Sequence, residues 1–149
     1  MCDFETGLTV AIRQEFPQAI LRGCYFHHTE AIFRKVQKYG LVTKYRKDPD
    51  IQAAIRQLMA IGFLPADRIR PFFDRLAEKS SSSIGPLLAY YSKFWIEQIG
   101  PERLSVYGHQ VRTNNNVESW HASFNKLVGK AHPNVFELID CIRKEQDST

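Results

Sequence analysis

No stretch of this sequence is long and apolar enough to span a bilayer, and its start, with an acid at Asp3, lacks the basic and apolar regions of a signal peptide. No membrane association is expected, and the chain reads as soluble and intracellular. Cys2, Cys24 and Cys141 are too few and too irregularly spaced for a disulfide framework, which fits a reducing compartment. No second Cys pair or His pair at finger spacing accompanies Cys24 and His27, so zinc is not favoured. Neither sign of charge dominates. Twenty Lys and Arg stand against 16 Asp and Glu, and the net charge of +4 permits a polyanionic partner without requiring one.

What the chain does have is core material: 149 residues, 44% hydrophobic and 12% aromatic, enough for a folded domain. Nearly all of it is spaced for helices. Asp3 can cap a first helix with Leu8, Ala11, Ile12 and Phe16 inward and Pro17 as its stop. Residues 19–26, with Ile20, Leu21, Cys24, Tyr25 and Phe26, read as one short strand, which needs neighbours that the rest of the chain does not obviously supply. A second helix over residues 29–39 turns Ile32, Phe33, Val36 and Tyr39 inward and stops at Gly40. Arg34, Lys35 and Lys38 share its outer side, and Lys44, Arg46 and Lys47 follow in a loop. Together they form the most basic stretch of the chain. Such a stretch suits contact with a nucleic-acid backbone, and equally suits a solvated face.

Asp48-Pro49-Asp50 starts a helix with the stripe Ile51, Ala54, Ile55, Leu58 and Met59. Ile69, Phe72, Phe73 and Leu76 repeat the spacing, in a helix expected to begin near Pro71. Gly85-Pro86 opens a third, long helix that runs to Gly100-Pro101, and its aromatics fall at core spacing. Residues 101–111 read as a connector of undefined form. Asn134 and Glu137 form a capping box for a last helix with Val135, Leu138, Ile139 and Ile142 on one face, and the end of the chain frays through Asp147 and Thr149.

The most informative stretch is Arg112-Thr113-Asn114-Asn115-Asn116-Val117-Glu118-Ser119-Trp120-His121. It opens a helix with the stripe Val117, Trp120, Phe124, Leu127 and Val128, ended by Gly129. Glu118 lies beside that stripe, where a carboxylate can serve a site; it can equally be the N3 partner of a capping box with Asn115. His121 falls on or next to the stripe and reads as a core histidine.

Taken in order, Met1-Cys2-Asp3-Phe4-Glu5, Gly23-Cys24-Tyr25-Phe26-His27 and the stretch 112–121 resemble the transposases of Mutator-like elements over nearly the whole chain. That family has a ribonuclease-H-like core with an Asp, Asp, Glu triad and a helical insertion before the Glu-bearing helix. The resemblance implies that Asp3 matches the second Asp and Glu118 the Glu, both as metal ligands, and that Cys24 and His27 match the C-x-x-H pair. It leaves supporting roles to Asn116 and His121 and directs Arg34, Lys35, Lys38, Lys44, Arg46 and Lys47 to DNA. The first Asp and the strands that would carry it have no counterpart here.

The expected fold is therefore mainly α with one short strand near 19–26. It would be a truncated ribonuclease-H-like α/β core over 1–47, an all-helical insertion over 48–100, and C-terminal core helices, the Glu118 helix among them, over 101–149. In the intact family three carboxylates hold magnesium ions for phosphoryl transfer on DNA, and in a eukaryote the compartment would be the nucleus. Two carboxylates do not rebuild that clamp, so the expectation is a transposase fragment without strand cleavage of its own. The alternative is a DNA- or protein-binding module derived from one.

Overall fold

The computed structural model describes residues 2–147, with the side chain of Asn116 outside the described set. The roles expected of Asn116 and of Thr149 lie outside those residues. The chain is mainly α-helical and divides into two compact units, residues 1–113 and 114–149. The first unit carries the basic excess, sixteen Lys and Arg against eleven Asp and Glu, while the second carries four against five.

In the first unit α1 spans Thr6–Glu15, α2 Tyr25–Lys38, α3 Val42–Lys47, α4 Pro49–Ala60, α5 Ala66–Lys79, α6 Gly85–Tyr91 and α7 Pro101–Leu104. Ile61–Phe63 and Ser82–Ile84 are single 3-10 turns. Beyond α6 the helix widens into a π-helical stretch, Ser92–Ile99, which ends with the Gly100 N–H bonded to the Trp95 carbonyl five residues back. One core joins them. Ile32 and Val36 of α2, Ile55 and Leu58 of α4, Ile69 and Phe73 of α5, and Leu87 and Tyr91 of α6 meet around Trp95, so residues 48–100 share their interior with α2.

Local signals set several boundaries as expected. The Asp48 carboxylate accepts from the N–H groups of Asp50 and Ile51, and Pro49 occupies the first helical position of α4. Gly40, at φ 66°, ends α2, and the Leu41 N–H reaches back to the Val36 carbonyl at 2.9 Å.

Other expectations are corrected. The strand over 19–26 does not form: among the described residues the β pairing found is one parallel bridge between Cys2 and Gly23, and Tyr25 and Phe26 already belong to α2. The reason is a four-residue spacing, Cys24, His28, Ile32 and Val36, all buried, which is helical and hidden only because His28 counts as polar. Asp3 does not cap α1; Glu5 is the cap residue, and the Asp3 carboxylate accepts from the Glu5 N–H. The buried residue of α1 is Thr9, whereas Leu8 and Phe16 are exposed. Helix α5 runs through Pro71 rather than starting near it. Lys44, Arg46 and Lys47 are not in a loop but on α3.

The second unit is a helical hairpin of α8, Asn115–Val128, and α9, Val135–Asp147. Gly129, left-handed at φ 72°, ends α8. The capping box of α9 forms as expected: Asn134 Oδ1 accepts from the Phe136 and Glu137 N–H groups, and Glu137 Oε2 accepts from the Asn134 N–H. The Lys130 ammonium, 2.6 Å from Glu137, and the Asn134 N–H hold the Glu137 carboxyl below its ordinary range. Of the expected α8 stripe only Phe124 is buried, with Trp120 stacked on it at 5.1 Å; Val117, Trp120 and Leu127 stay exposed.

Candidate functional site

Three chain segments meet at residues 22–25. The Cys2 N–H donates to the Arg22 carbonyl at 3.0 Å and the Cys24 N–H to the Cys2 carbonyl at 2.9 Å, so Cys2 and Gly23 lie side by side as parallel extended residues. On the other side the Gly23 N–H reaches the Arg103 carbonyl at 2.8 Å, and the Tyr25 N–H the Arg112 carbonyl at 2.9 Å. Helix α1 joins the two bridged residues. A strand-like residue, a helix and a second strand-like residue in parallel make a rudimentary β–α–β unit.

Asp3 follows directly on Cys2 and is partly buried. Its Oδ1 is 3.1 Å from the Glu5 nitrogen, and its carbonyl accepts from Arg103 Nη2 at 3.4 Å. Arg103 is the residue that sequence reasoning misses. The same Nη2 donates to Thr9 Oγ1 at 2.6 Å, the guanidinium stands 5.7 Å from the Phe4 ring centroid, and the Arg103 backbone pairs with Gly23. One arginine on α7 thus fixes the segment bearing Asp3. The sequence signal for it is faint, because Pro101-Glu102-Arg103-Leu104 is a single turn in a stretch with no periodicity.

Cys24 is fully buried at the cap position of α2, where its backbone is extended and its side chain makes no capping bond. His27 lies on the first turn, partly buried, with Phe26 beside it. The C-x-x-H pair therefore marks where the extended segment turns into α2. Burial, not a second ligand pair, explains the cysteine.

One turn further is a core histidine that the sequence presents only as a polar flank. His28 Nε2 is 3.0 Å from the Tyr91 hydroxyl, and the ring stands edge-on to Trp95 at 4.7 Å. Burial pushes its pKa down to about 3, so the ring is neutral. The Tyr91 hydroxyl in turn donates to the Leu58 carbonyl at 3.4 Å, and burial raises its pKa well above the ordinary phenol value. This trio is a packed polar link between α2, α4 and α6.

The six candidate DNA contacts separate into two groups. Arg34 is paired with Glu30 at 2.8 Å, and Lys35 turns inward so that its ammonium sits 4.4 Å over the Tyr90 ring, rather than on the outer face. Lys38, Lys44, Arg46 and Lys47 are exposed. The usable cations are concentrated at the end of α2 and along α3.

In the second unit Asn114, not Asn115, caps α8, and its side chain makes no capping bond; the Glu118 N–H donates to the Asn114 carbonyl at 3.0 Å. Glu118 stands on the first turn, exposed, where the positive end of the helix favours a carboxylate. His121 is exposed beside Trp120 and is no core residue. Trp120 Nε1 donates to Glu145 Oε1 at 3.0 Å, tying α8 to α9.

Among the described residues no three His, Cys, Asp or Glu side chains gather as a metal-holding group, and no helix is long and apolar enough to cross a membrane. Comparison with protein-family models, curated proteins and solved structures finds no match to this chain.

Proposed function

We propose that the chain is a piece of a Mutator-like transposase core that has kept two of three carboxylates, Asp3 and Glu118, and acts on its own as a DNA-binding module. The observation that carries the reading is the parallel bridge between Cys2 and Gly23, joined by α1. It sets Asp3 at the end of an extended residue, followed after one helix and one extended segment by Cys24 and His27, in the order that the resemblance implies. The exposed Lys38, Lys44, Arg46 and Lys47 supply cations of the kind that neutralise a phosphate backbone without reading bases.

Phosphoryl transfer in the intact family needs magnesium held by three carboxylates. The donors of this chain do not fit that demand: a hard cation takes about six oxygen ligands in fixed geometry, and Asp3 already gives one oxygen to the Glu5 N–H. Binding, not cleavage, is the proposed activity.

The test is a filter-binding titration of duplex DNA at several salt concentrations, run beside a supercoiled-plasmid nicking assay in magnesium. Salt-sensitive binding with no nicking supports the reading. Nicking lost in Glu118→Gln would instead make the chain an enzyme, and absence of binding at low salt would remove the DNA-binding role.

A further inference from the structure

Between α4 and α5 the first unit opens a groove of about 730 Å³. Its width has a simple cause. Helix α4 lines it with Ala53 and Ala54, and α5 faces them with Phe72 and Leu76, so methyl groups stand where larger side chains would close the gap. Ala54 and Leu76 are buried, Phe72 is half-buried and Ala53 is exposed, which gives an apolar floor with one open side.

The rim on the α5 side is cationic. Arg75 and Lys79 lie one helical turn apart, both exposed and both lining the groove. Two ion pairs engage other residues of this helix, Arg68 with Asp67 and Arg70 with Asp74; among the described residues Arg75 and Lys79 form none. One acid, Asp50, lines the far wall against these two cations. An apolar floor with two uncommitted positive charges at its edge is complementary to a molecule that is apolar at one end and anionic at the other. Its volume falls within the range of about 300–1,000 Å³ typical of small-molecule clefts.

We propose that this groove binds a small amphipathic anion, with its hydrocarbon against Ala53, Ala54, Phe72 and Leu76 and its head group on Arg75 and Lys79. A carboxylate and a phosphate monoester share that chemistry. The inference is independent of the DNA-binding reading, whose candidate cations lie on α2 and α3.

Calorimetric titration of the full chain with octyl phosphate and with octanoate, both below their micelle concentrations, tests it. Octyltrimethylammonium serves as the control of opposite charge. The expected result is one site per chain for at least one anion, no binding of the ammonium, and affinity at least tenfold weaker in Arg75→Gln/Lys79→Gln. Ala53→Trp, which fills the groove from its exposed side, is expected to abolish binding. The stronger of the two anions identifies the head group. If neither anion binds, if the ammonium binds as well as they do, or if both variants retain wild-type affinity, the proposal is overturned. Should Ala53→Trp fail to fold, the charge-neutralised variant, altered only at exposed positions, decides the matter.

Discussion

The Phe4 ring lies over Gly23 in the space that a Cβ there would occupy. That approach lets the ring stand edge-on against Trp95, with centroids 4.6 Å apart and planes at 87°. Gly23 is therefore constrained by its neighbour rather than by its backbone angles. Gly23→Ala is expected to cost about 1–3 kcal/mol, because the ring has to leave Trp95 to admit the methyl group. In urea denaturation, the double variant with Phe4→Ala should be less destabilised than the two single changes together. Strict additivity would mean that the overlap has no energetic consequence.

Arg103 should behave as a clamp on the start of the chain. Arg103→Ala removes the donor to Thr9 Oγ1 and to the Asp3 carbonyl, and is expected to destabilise by about 1–3 kcal/mol. Amide hydrogen exchange should speed up in α1 before α4 and α5 respond. Uniform loss of protection across all three helices would contradict the clamp.

Acid should weaken the fold through His28. Its pKa in the folded chain is about 3 against an ordinary 6.5, so below pH 6.5 the unfolded chain takes up a proton that the folded chain refuses. Stability is then complete above about pH 6.5 and falls by roughly 1.4 kcal/mol per pH unit as pH drops toward 3. Urea midpoints measured at pH 7, 6 and 5 check the slope. His28→Gln should flatten it over that range, before most carboxylates begin to titrate.

The basic stretch should split under mutation. Neutralising Lys44, Arg46 and Lys47 is expected to leave the melting temperature within a few degrees of wild type. It should also lower the salt dependence of DNA binding by up to about 0.9 for each phosphate that is no longer neutralised. Lys35→Ala is expected to do the reverse: without the ammonium over Tyr90 the fold is weaker by about 0.5–1 kcal/mol, with little effect on DNA affinity. Thermal melts and salt-titrated binding on both variants separate the two roles.

The features legible in the sequence are those settled by residues close together in the chain. Asp48 and Pro49 start α4, Asn134 and Glu137 start α9, and Gly40 and Gly129 stop their helices, each through bonds within a few residues. The features that are not legible are settled at a distance. Thr9 is buried because it bonds to Arg103, 94 positions away, and no periodicity in α1 announces that. Residues 19–26 resemble a strand as long as His28 is taken to face solvent, whereas Tyr91, 63 positions on, gives it a partner in the core. Pro71 is tolerated inside α5 because it is only the sixth helical residue, so the bond it forgoes is one of the earliest of the helix. Of the candidate site, the order of Asp3, Cys24 and His27 can be read from the sequence. Their support by Arg103 cannot.

The π-helical stretch at Ser92–Ile99 holds one more residue in its turns than an ordinary helix would, with the Ser92 hydroxyl bridging to Glu97 across the widened loop of backbone. This surplus residue acts as a phase shifter. Deleting a single exposed position there, Glu97 or Gln98, would let the helix tighten while turning everything beyond it by about 100°, the angular step of one α-helical residue. Arg103 would then swing away from Thr9 and Asp3, so the length of this one segment, more than its composition, keeps the beginning of the chain in place.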